Sequence, residues 1–334
     1  MKPFLSICIP TFNRAAYIKE TIINISEQIK TIKSKVEIII VDGNSKDNTD
    51  EIIRDLKTKY KFIKYYKMKK NGGVSKDYHI CVKKALGKYC WLMSSDDLIA
   101  KNSLKEIIKQ INKSKASIYL FNRAILKREN ELKPESFLCN KLDDFTFYFN
   151  DNNDFFKYFN LSKNVGALFS YAPSILFHRS EYININVSKD YLDSLYAHVF
   201  IIFSMLKKNL SLRYVKRTIV LTREGNDSWR DRGISWRVIK DFEFYHRIAS
   251  RFFKSDKKTQ IALMEVFTKC KYYGILSLVK CRITSDEKEW TVIAKYLNIF
   301  GYSKFFITKI ELVSKLKPLI NLYLHIKVYL KSEN

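Results

Sequence analysis

Two adjacent carboxylates, Asp96 and Asp97, follow an apolar run at residues 91–93 and two serines. Such a pair at the end of a buried strand is costly unless its charge is compensated. A divalent cation would compensate it, because Mg²⁺ and Mn²⁺ prefer oxygen ligands, and it would also stabilise charge on a leaving nucleoside diphosphate. The alternative is a helix N-cap, in which either aspartate accepts backbone N–H groups and no metal is needed.

Polar residues also follow two earlier apolar runs. Residues 4–10 are followed by the polar segment 11–14, and the β-branched run 36–41 is followed by Asp42 and Gly43. Because these runs alternate with segments of helical periodicity, we expect βαβ units and a mostly parallel sheet. Ligands of such sheets bind at the carboxyl ends of the strands, so we expect the three polar segments to meet at one edge.

Periodicity divides the remaining sequence into strands, helices and one irregular region. Further strands are predicted at 62–66, 88–93, 117–121, 172–177 and 212–221, and helices at 16–32, 47–56, 75–86, 102–111 and 192–208. Residues 126–159 are aromatic and acidic and fit a loop or lid. The sequence after Trp236 has a helical pattern almost to its end.

Several motifs in the first third of the chain occur in a characteristic order. They are SICIPTFNR at 6–14, VEIIIVDGNSKDNT at 36–49, NGG at 71–73, ALGKY at 85–89 and the aspartate pair. In this order and spacing they resemble the family 2 glycosyltransferases of the GT-A fold. The letters DYH at 77–79 and YCW at 89–91 are similar to the abequosyltransferase-like branch, whose members build bacterial surface polysaccharides.

The resemblance implies a fold and an activity. The fold is α/β, a Rossmann-like GT-A sheet flanked by helices, with a helical C-terminal extension. The catalytic domain would cover 1–232, with a nucleotide-sugar-binding half at 1–120 and an acceptor-binding half at 121–232, and a basic helical region would cover 233–334. The enzyme would move a sugar, with inversion and with Mg²⁺ or Mn²⁺, from a nucleotide-sugar to a glycan or lipid-linked saccharide of lipopolysaccharide, lipooligosaccharide or capsule. A UDP-sugar is the first donor we expect.

The resemblance also assigns residues to the donor site. Asp42 would accept hydrogen bonds from the base or ribose, and Asp96 would hold the metal with Asp97 beside it. The family often has an acidic residue where this chain has Ser94, which leaves one carboxylate plus substrate phosphates as the ligand set. The remaining donor-site residues implied are Pro10, Thr11, Asn13, Arg14, Asn44, Asp77 and Ser95.

The residue that would activate the acceptor hydroxyl has two candidates. Alignment with the family places His198 where many members have an aspartate, and a histidine has a pKa suited to a general base. Asp193 lies about one helical turn earlier and is the rival. The alternative for His198 is a histidine packed in the core of an apolar helix.

A second polar cluster lies at residues 223–230. Arg223 and Arg230 could bind a diphosphate bidentately, and Trp229 could stack on a sugar or acceptor. The alternative is a solvated loop anchored by one tryptophan.

The net charge of +26 favours an anionic partner, although the abundance of lysine throughout also fits a compositional bias. Residues 301–330 mix large apolar side chains with lysines, which is typical of a helix on an anionic membrane or of an ordinary packed helix. The six cysteines lack CxxC spacing, and no signal peptide or spanning segment is evident. We therefore expect reduced thiols and a cytoplasmic protein, with peripheral binding to the inner face of the cytoplasmic membrane as a further expectation.

Two other classes of protein fit the sequence less well than a transferase does. A nucleotidyltransferase would have a Gly-rich phosphate loop after its first strand, and none follows Ile9. A basic nucleic-acid-binding protein on a degenerate nucleotide-binding fold would have its Lys and Arg clustered with aromatics. Here the charges are spread along the chain, so no specific nucleic-acid partner is expected.

Overall fold

The computed structural model describes residues 2–127, 131–226 and 230–316. The chain divides after Asn226 into two compact units, each with its own core. The first unit carries the sheet and every predicted site residue up to Arg223. The second unit is helical.

The first unit is built on one large mixed sheet. Its strands are β1 (Leu5–Thr11), β2 (Val36–Asp42), β3 (Ile63–Lys67), β4 (Tyr89–Leu92), β5 (Leu98–Ile99), β6 (Ile118–Leu126), β7 (Leu132–Glu135), β8 (Phe145–Phe147), β9 (Ile175–His178) and β10 (Leu212–Arg223). Their order is β3-β2-β1-β4-β9-β6-β10-β5, with β7 paired to β6 and β8 paired to β10.

The half of the sheet that begins the chain is parallel, as predicted. Strands β1, β2, β3 and β4 pair in parallel, and β1 and β2 are buried along their whole length. Continuous apolar, β-branched runs are what a parallel sheet covered on both faces requires. The first unit's helices are α1 (Ala15–Ile29), α2 (Thr49–Lys59), α3 (Val74–Lys84), α4 (Ser103–Ser114), α5 (Asn152–Leu161), α6 (Arg179–Ile183), α7 (Lys189–Leu192) and α8 (Ala197–Leu206).

The expectation of a mostly parallel sheet holds for β6 and β10, which pair in parallel, but not for four other strands of the second half. Strand β9 runs antiparallel to both β4 and β6, and β5, β7 and β8 are also antiparallel to their neighbours. The chain reaches the carboxyl edge of the sheet just before β9, where the Tyr171 hydroxyl donates to Asp97 at 2.5 Å. Strand β9 must therefore run back from that edge.

Two local predictions also need correction. The region 126–159 contains β7, β8 and the start of α5, and its aromatic side chains Phe147, Phe149 and Phe155 are buried together, so it is not simply a loop or lid. The helix predicted at 192–208 is interrupted between α7 and α8. The Ser194 hydroxyl there donates to the Tyr191 carbonyl and accepts the Tyr196 N–H, and such contacts compete with helical hydrogen bonds.

The second unit is helical in its described residues, as predicted. Its helices are α9 (Gly233–Phe252), α10 (Lys257–Lys269), α11 (Ile275–Thr284), α12 (Glu287–Ile299) and α13 (Lys304–Ser314). Phe242, Phe267 and Phe300 form an aromatic cluster with ring centroids 4.6–5.4 Å apart. Within the described ranges, no helix combines the length and the apolar character needed to cross a membrane.

Candidate active site

The loops after β1 and β2 are joined by hydrogen bonds at the carboxyl edge. Thr11 pairs in register with Asp42, the last residue of β2. Asn13 has a left-handed φ of 52°, which asparagine tolerates better than most residues. Its backbone N–H donates to Ser45 Oγ at 2.9 Å, and the Arg14 N–H donates to Thr49 Oγ1 at 2.9 Å. The two loops therefore form one rim, and these hydrogen bonds fix the backbone position from which the Arg14 side chain extends.

Asp42 lies in this rim but is fully buried. Its Oδ1 accepts the Ser45 N–H at 2.8 Å and the Ser45 hydroxyl at 2.7 Å, and its Oδ2 accepts the Tyr65 hydroxyl at 2.8 Å. Burial and the carboxylate raise the pKa of Tyr65 above its ordinary value, so the tyrosine remains a donor. Both oxygens of Asp42 are thus engaged within the protein.

Asp77 is the second carboxylate at this edge, in the first turn of α3. It is 3% exposed, and its Oδ1 accepts no hydrogen bond from any residue that the structure describes. Burial and the neighbouring Asp42 raise the pKa of Asp77 to about 6, partly opposed by Lys76. It faces Gly43, where an added β-carbon would lie 3.0 Å from its Oδ2.

The remaining predicted donor-site residues also lie along this edge. Pro10 is buried within β1. Asn44 has a left-handed φ of 69°, and its side-chain amide donates to the Lys69 carbonyl at 3.0 Å. Ser95 is buried in the turn that follows β4.

Asp97 is a buried anchor for the turn after β4. Its Oδ2 accepts the hydroxyls of Ser94 at 2.6 Å and Tyr171 at 2.5 Å, and its Oδ1 accepts the Arg223 N–H at 3.0 Å. Burial raises the pKa of Asp97 above its ordinary value, and these donors oppose the rise. The aspartate therefore links the turn after β4 to β10.

Asp96 is the carboxylate of the pair that reaches solvent. Its side chain is 16% exposed, and Oδ2 lies 3.5 Å from Arg14 Nε. Burial and the adjacent Asp97 raise the pKa of Asp96 to about 6, whereas Arg14 lowers it. The Arg223 guanidinium donates to the Asp96 carbonyl and pairs with Glu20, so two arginines stand beside this residue.

The oxygen ligands at this edge fit a divalent cation whose coordination would be completed by oxygens of a bound substrate. Within the described ranges, no group of three or more His, Cys, Asp and Glu side chains is placed to hold a metal ion. Of the aspartate pair, Asp96 offers its carboxylate toward solvent, whereas the Asp97 oxygens already accept hydrogen bonds. One carboxylate plus phosphate oxygens is a common way to bind Mg²⁺.

The two candidate bases lie in different environments. His198 is 4% exposed on α8, and its Nε2 donates to the Phe169 carbonyl at 3.1 Å, since a carbonyl can only accept. Burial lowers the pKa of His198 to about 4. Asp193 is 41% exposed and pairs with Lys76, which lowers its pKa below the ordinary value. The histidine has the surroundings of a core residue, and the aspartate is the ionised, accessible group.

The second polar cluster is only partly described. Arg223 ends β10 beside Asp96, as noted above. Trp229 lies outside the described residues. Of Arg230 the structure gives the backbone alone, at the start of the short 3₁₀ segment Arg230–Arg232.

Three residues of this site were not predicted. Phe12 follows β1 and is 39% exposed, and an aromatic among polar loop residues was a signal available in the sequence. Tyr171 reaches Asp97, and the Arg123 guanidinium stacks 4.3 Å from the Tyr171 ring. No local pattern indicates these last two, because their contacts join distant parts of the chain.

An α/β sheet with a solvent-facing carboxylate and two arginines at its carboxyl edge is an arrangement suited to a phosphorylated ligand. The family described as "Glycosyl transferase family 2" matches residues 6–180 of the chain. The chain belongs to this family and is a glycosyltransferase, which confirms the resemblance given above.

Known proteins similar to this chain agree with that assignment. The abequosyltransferase RfbV of Salmonella typhimurium is 31% identical over 288 residues, which cover 85% of this chain and 86% of the relative. The crystal structure of S. aureus TarS residues 1–349 with UDP-GlcNAc has a TM-score of 0.61 at 16% identity and covers 90% of this chain and 80% of that one. The mannosyltransferase PcManGT of Pyrobaculum calidifontis, with GDP-Man and Mn²⁺, has a TM-score of 0.53 at 14% identity, covering 94% and 87%. The two structures confirm the GT-A fold.

Proposed function

We propose that this glycosyltransferase moves a sugar from a nucleotide-sugar, a UDP-sugar first among them, to a glycan or lipid-linked saccharide of a bacterial surface polysaccharide. The observation that carries the proposal is the 31% identity to an abequosyltransferase along 85% of the chain. The position of Asp96 and Arg14 at the carboxyl edge supports it, because a diphosphate needs both a cation site and a donor of hydrogen bonds. The donor anomeric carbon would be attacked with inversion, as the family implies.

In this proposal the residues at the edge have separate roles. Asp96 would hold Mg²⁺ or Mn²⁺, which when bound supplies positive charge against the leaving diphosphate. Arg14 and Arg223 add positive charge beside the same phosphates. Asp97 and Tyr171 act by position: their hydrogen bond keeps the turn after β4 in place. Such preorganisation removes the need for reorientation when charge develops.

We further propose Asp193, rather than His198, as the residue that accepts the proton of the acceptor hydroxyl. Asp193 is exposed and ionised, whereas a proton acceptor with a pKa of about 4 in the core of α8 has no route to a saccharide in this arrangement. A general base must be within hydrogen-bond reach of the proton it removes.

The second unit offers a surface suited to an anionic membrane. On the packed helices α11 and α13, Leu276, Phe305 and Leu312 are strongly exposed, and Lys280 and Lys309 lie exposed on the same helices. Exposed apolar side chains flanked by lysines bind anionic lipid surfaces. Sedimentation with phosphatidylglycerol vesicles tests this: Phe305→Ser is expected to weaken binding, and the control Ile261→Ser, an exposed residue on α10, is not.

The activity itself is tested with a panel of donors. UDP-, dTDP-, GDP- and CDP-sugars are incubated with Mg²⁺ or Mn²⁺ or with chelator, and free nucleotide is measured. We expect slow hydrolysis of one donor class, lost with chelator and in Asp96→Asn, but kept in Asp143→Asn, which changes an exposed surface carboxylate. No hydrolysis and no nucleotide binding across the panel would point instead to a degenerate fold used for binding alone.

A further inference from the structure

We infer that Asp77, not Asp42, reads the nucleobase of the donor: its carboxylate accepts an N–H of the base, and the Thr11 hydroxyl makes the second polar contact. The inference rests on the proposed use of a nucleotide-sugar and concerns which residue selects its base. Asp42 is where the family resemblance placed this role.

The first observation is a pair of buried polar atoms without partners. Thr11 Oγ1 and Asp77 Oδ1 are both in side chains that are 3% exposed, and neither has a hydrogen-bond partner among the residues that the structure describes. Buried polar atoms are almost always paired in native proteins, so an unpaired one needs an explanation. Two of them near one glycine at a ligand-binding edge are explained together by a ligand that pairs with both.

The second observation is the shape of the rim between them. The Gly43 N–H donates to the Thr11 carbonyl at 2.9 Å, which places Gly43 beside Thr11. An added β-carbon at Gly43 would lie 3.0 Å from Asp77 Oδ2 and 3.4 Å from Asn71 Oδ1. Glycine therefore keeps this space free of side-chain atoms. The exposed ring of Phe12 stands next to Thr11 in the chain and offers a flat apolar surface for a base.

The third observation separates the two carboxylates. Asp42 accepts three hydrogen bonds within the protein, and these use both of its oxygens. Asp77 Oδ1 has no such partner among the residues that the structure describes. The charged groups near Asp77 are Asp42, which disfavours its ionisation, and Lys76, which favours it and is itself paired with Asp193. An N–H from a ligand would stabilise the Asp77 carboxylate where the protein does not.

This chemistry recognises a base through a donor group on its Watson–Crick edge. Uracil, thymine and guanine present a ring N–H there, and cytosine and adenine present an amino group. All of them also carry an acceptor beside that donor, which the Thr11 hydroxyl can serve. The bases thus share an N–H group next to a hydrogen-bond acceptor. A panel of nucleotide-sugars with different bases and with methylated bases shows which base the site takes.

The test is calorimetric binding of the preferred nucleotide-sugar to the full-length protein. We expect Asp77→Ala to bind at least about 10-fold more weakly, the effect of losing a hydrogen bond to a charged group. Asp77→Asn, which keeps the shape, is expected to lie between Asp77→Ala and the wild type. Removing a negative charge near an anionic ligand would by itself strengthen binding. A loss of affinity therefore reports the hydrogen bond and not the net charge.

Asp42→Asn is the matched control at the same edge. It is expected to lower the melting temperature, because Asp42 holds the loop after β2, and to change affinity less than Asp77→Ala does. The inference is overturned if Asp77→Ala binds like the wild type, or if Asp42→Asn loses affinity without losing stability.

A nucleotide methylated at the base nitrogen gives an independent readout. The wild type is expected to bind the methylated nucleotide at least about 10-fold more weakly than the parent, and Asp77→Ala to bind the two equally, as expected when one hydrogen bond is removed from either side. An equal methyl effect in both proteins would contradict the inference. If the wild type binds no nucleotide-sugar at all, the proposed function fails. If it binds but Asp77→Ala is unaffected, only this inference fails.

Discussion

Replacing Asp77 by asparagine is expected to stabilise the ligand-free protein at pH 8. The pKa of Asp77 is about 6 in the folded protein against an ordinary value of 3.8. At about 1.4 kcal/mol for each pKa unit, the ionised carboxylate costs the fold at most about 3 kcal/mol. Solvent at the carboxyl edge screens part of this, so we expect the free energy of unfolding of Asp77→Asn to rise by about 1–2 kcal/mol.

The pH dependence identifies the cause. A carboxyl group whose pKa is raised by folding leaves the protein most stable below its unfolded pKa, and that stability is lost as pH rises through about 6. The gain in Asp77→Asn is therefore expected to be small at pH 4 and full above pH 7. Urea unfolding of both proteins at pH 4, 6 and 8, without nucleotide, measures it, and Asp143→Asn serves as the exposed-carboxylate control. A gain of equal size at pH 4 and pH 8, or a loss at pH 8, would refute the electrostatic reasoning.

Three further results are expected. Tyr171→Phe removes a donor to a buried aspartate, so urea unfolding is expected to show a loss of about 1–2 kcal/mol together with slower donor hydrolysis; unchanged stability would contradict the anchoring role. Asp193→Asn is expected to slow sugar transfer at least about 100-fold with little effect on donor affinity, whereas His198→Asn is expected mainly to lower the melting temperature; the reverse order in a transfer assay would restore the histidine as the base. Metal-dependent donor binding is expected to weaken as pH falls below about 6, because protonation of Asp96 removes its ligand oxygen. Calorimetry across pH in an Asp77→Asn background isolates the effect of Asp96, and a donor affinity that does not change with pH would contradict it.

The parallel half of the sheet could be predicted from the sequence because its signals are local. The buried runs of β1 and β2 are continuous and β-branched, and each ends in polar residues within a few positions. The order of the motifs then indicated the family. The direction of β9 could not be predicted, since a strand of four residues has the same pattern whichever way it runs. Its direction goes with the position of Tyr171 beside Asp97 at the carboxyl edge, a contact between distant parts of the chain.

Prediction of the candidate site from the sequence is limited in the same way, at the level of single residues. The sequence indicated that Asp42, Asp77, Asp96 and Asp97 lie at the carboxyl edge, but not which oxygens remain available. That depends on partners such as Tyr65 for Asp42, and on distant donors such as Arg223 for Asp97. Side chains of one type at one edge thus divide into anchors and free groups only through tertiary contacts.

A crystal structure of the protein with the preferred nucleotide-sugar tests the account most directly. We expect a base N–H within hydrogen-bond distance of Asp77 Oδ1 and the diphosphate beside Asp96 and Arg14. A nucleotide bound away from this edge, or one whose base contacts Asp42 while Asp77 stays unpaired, would contradict the account.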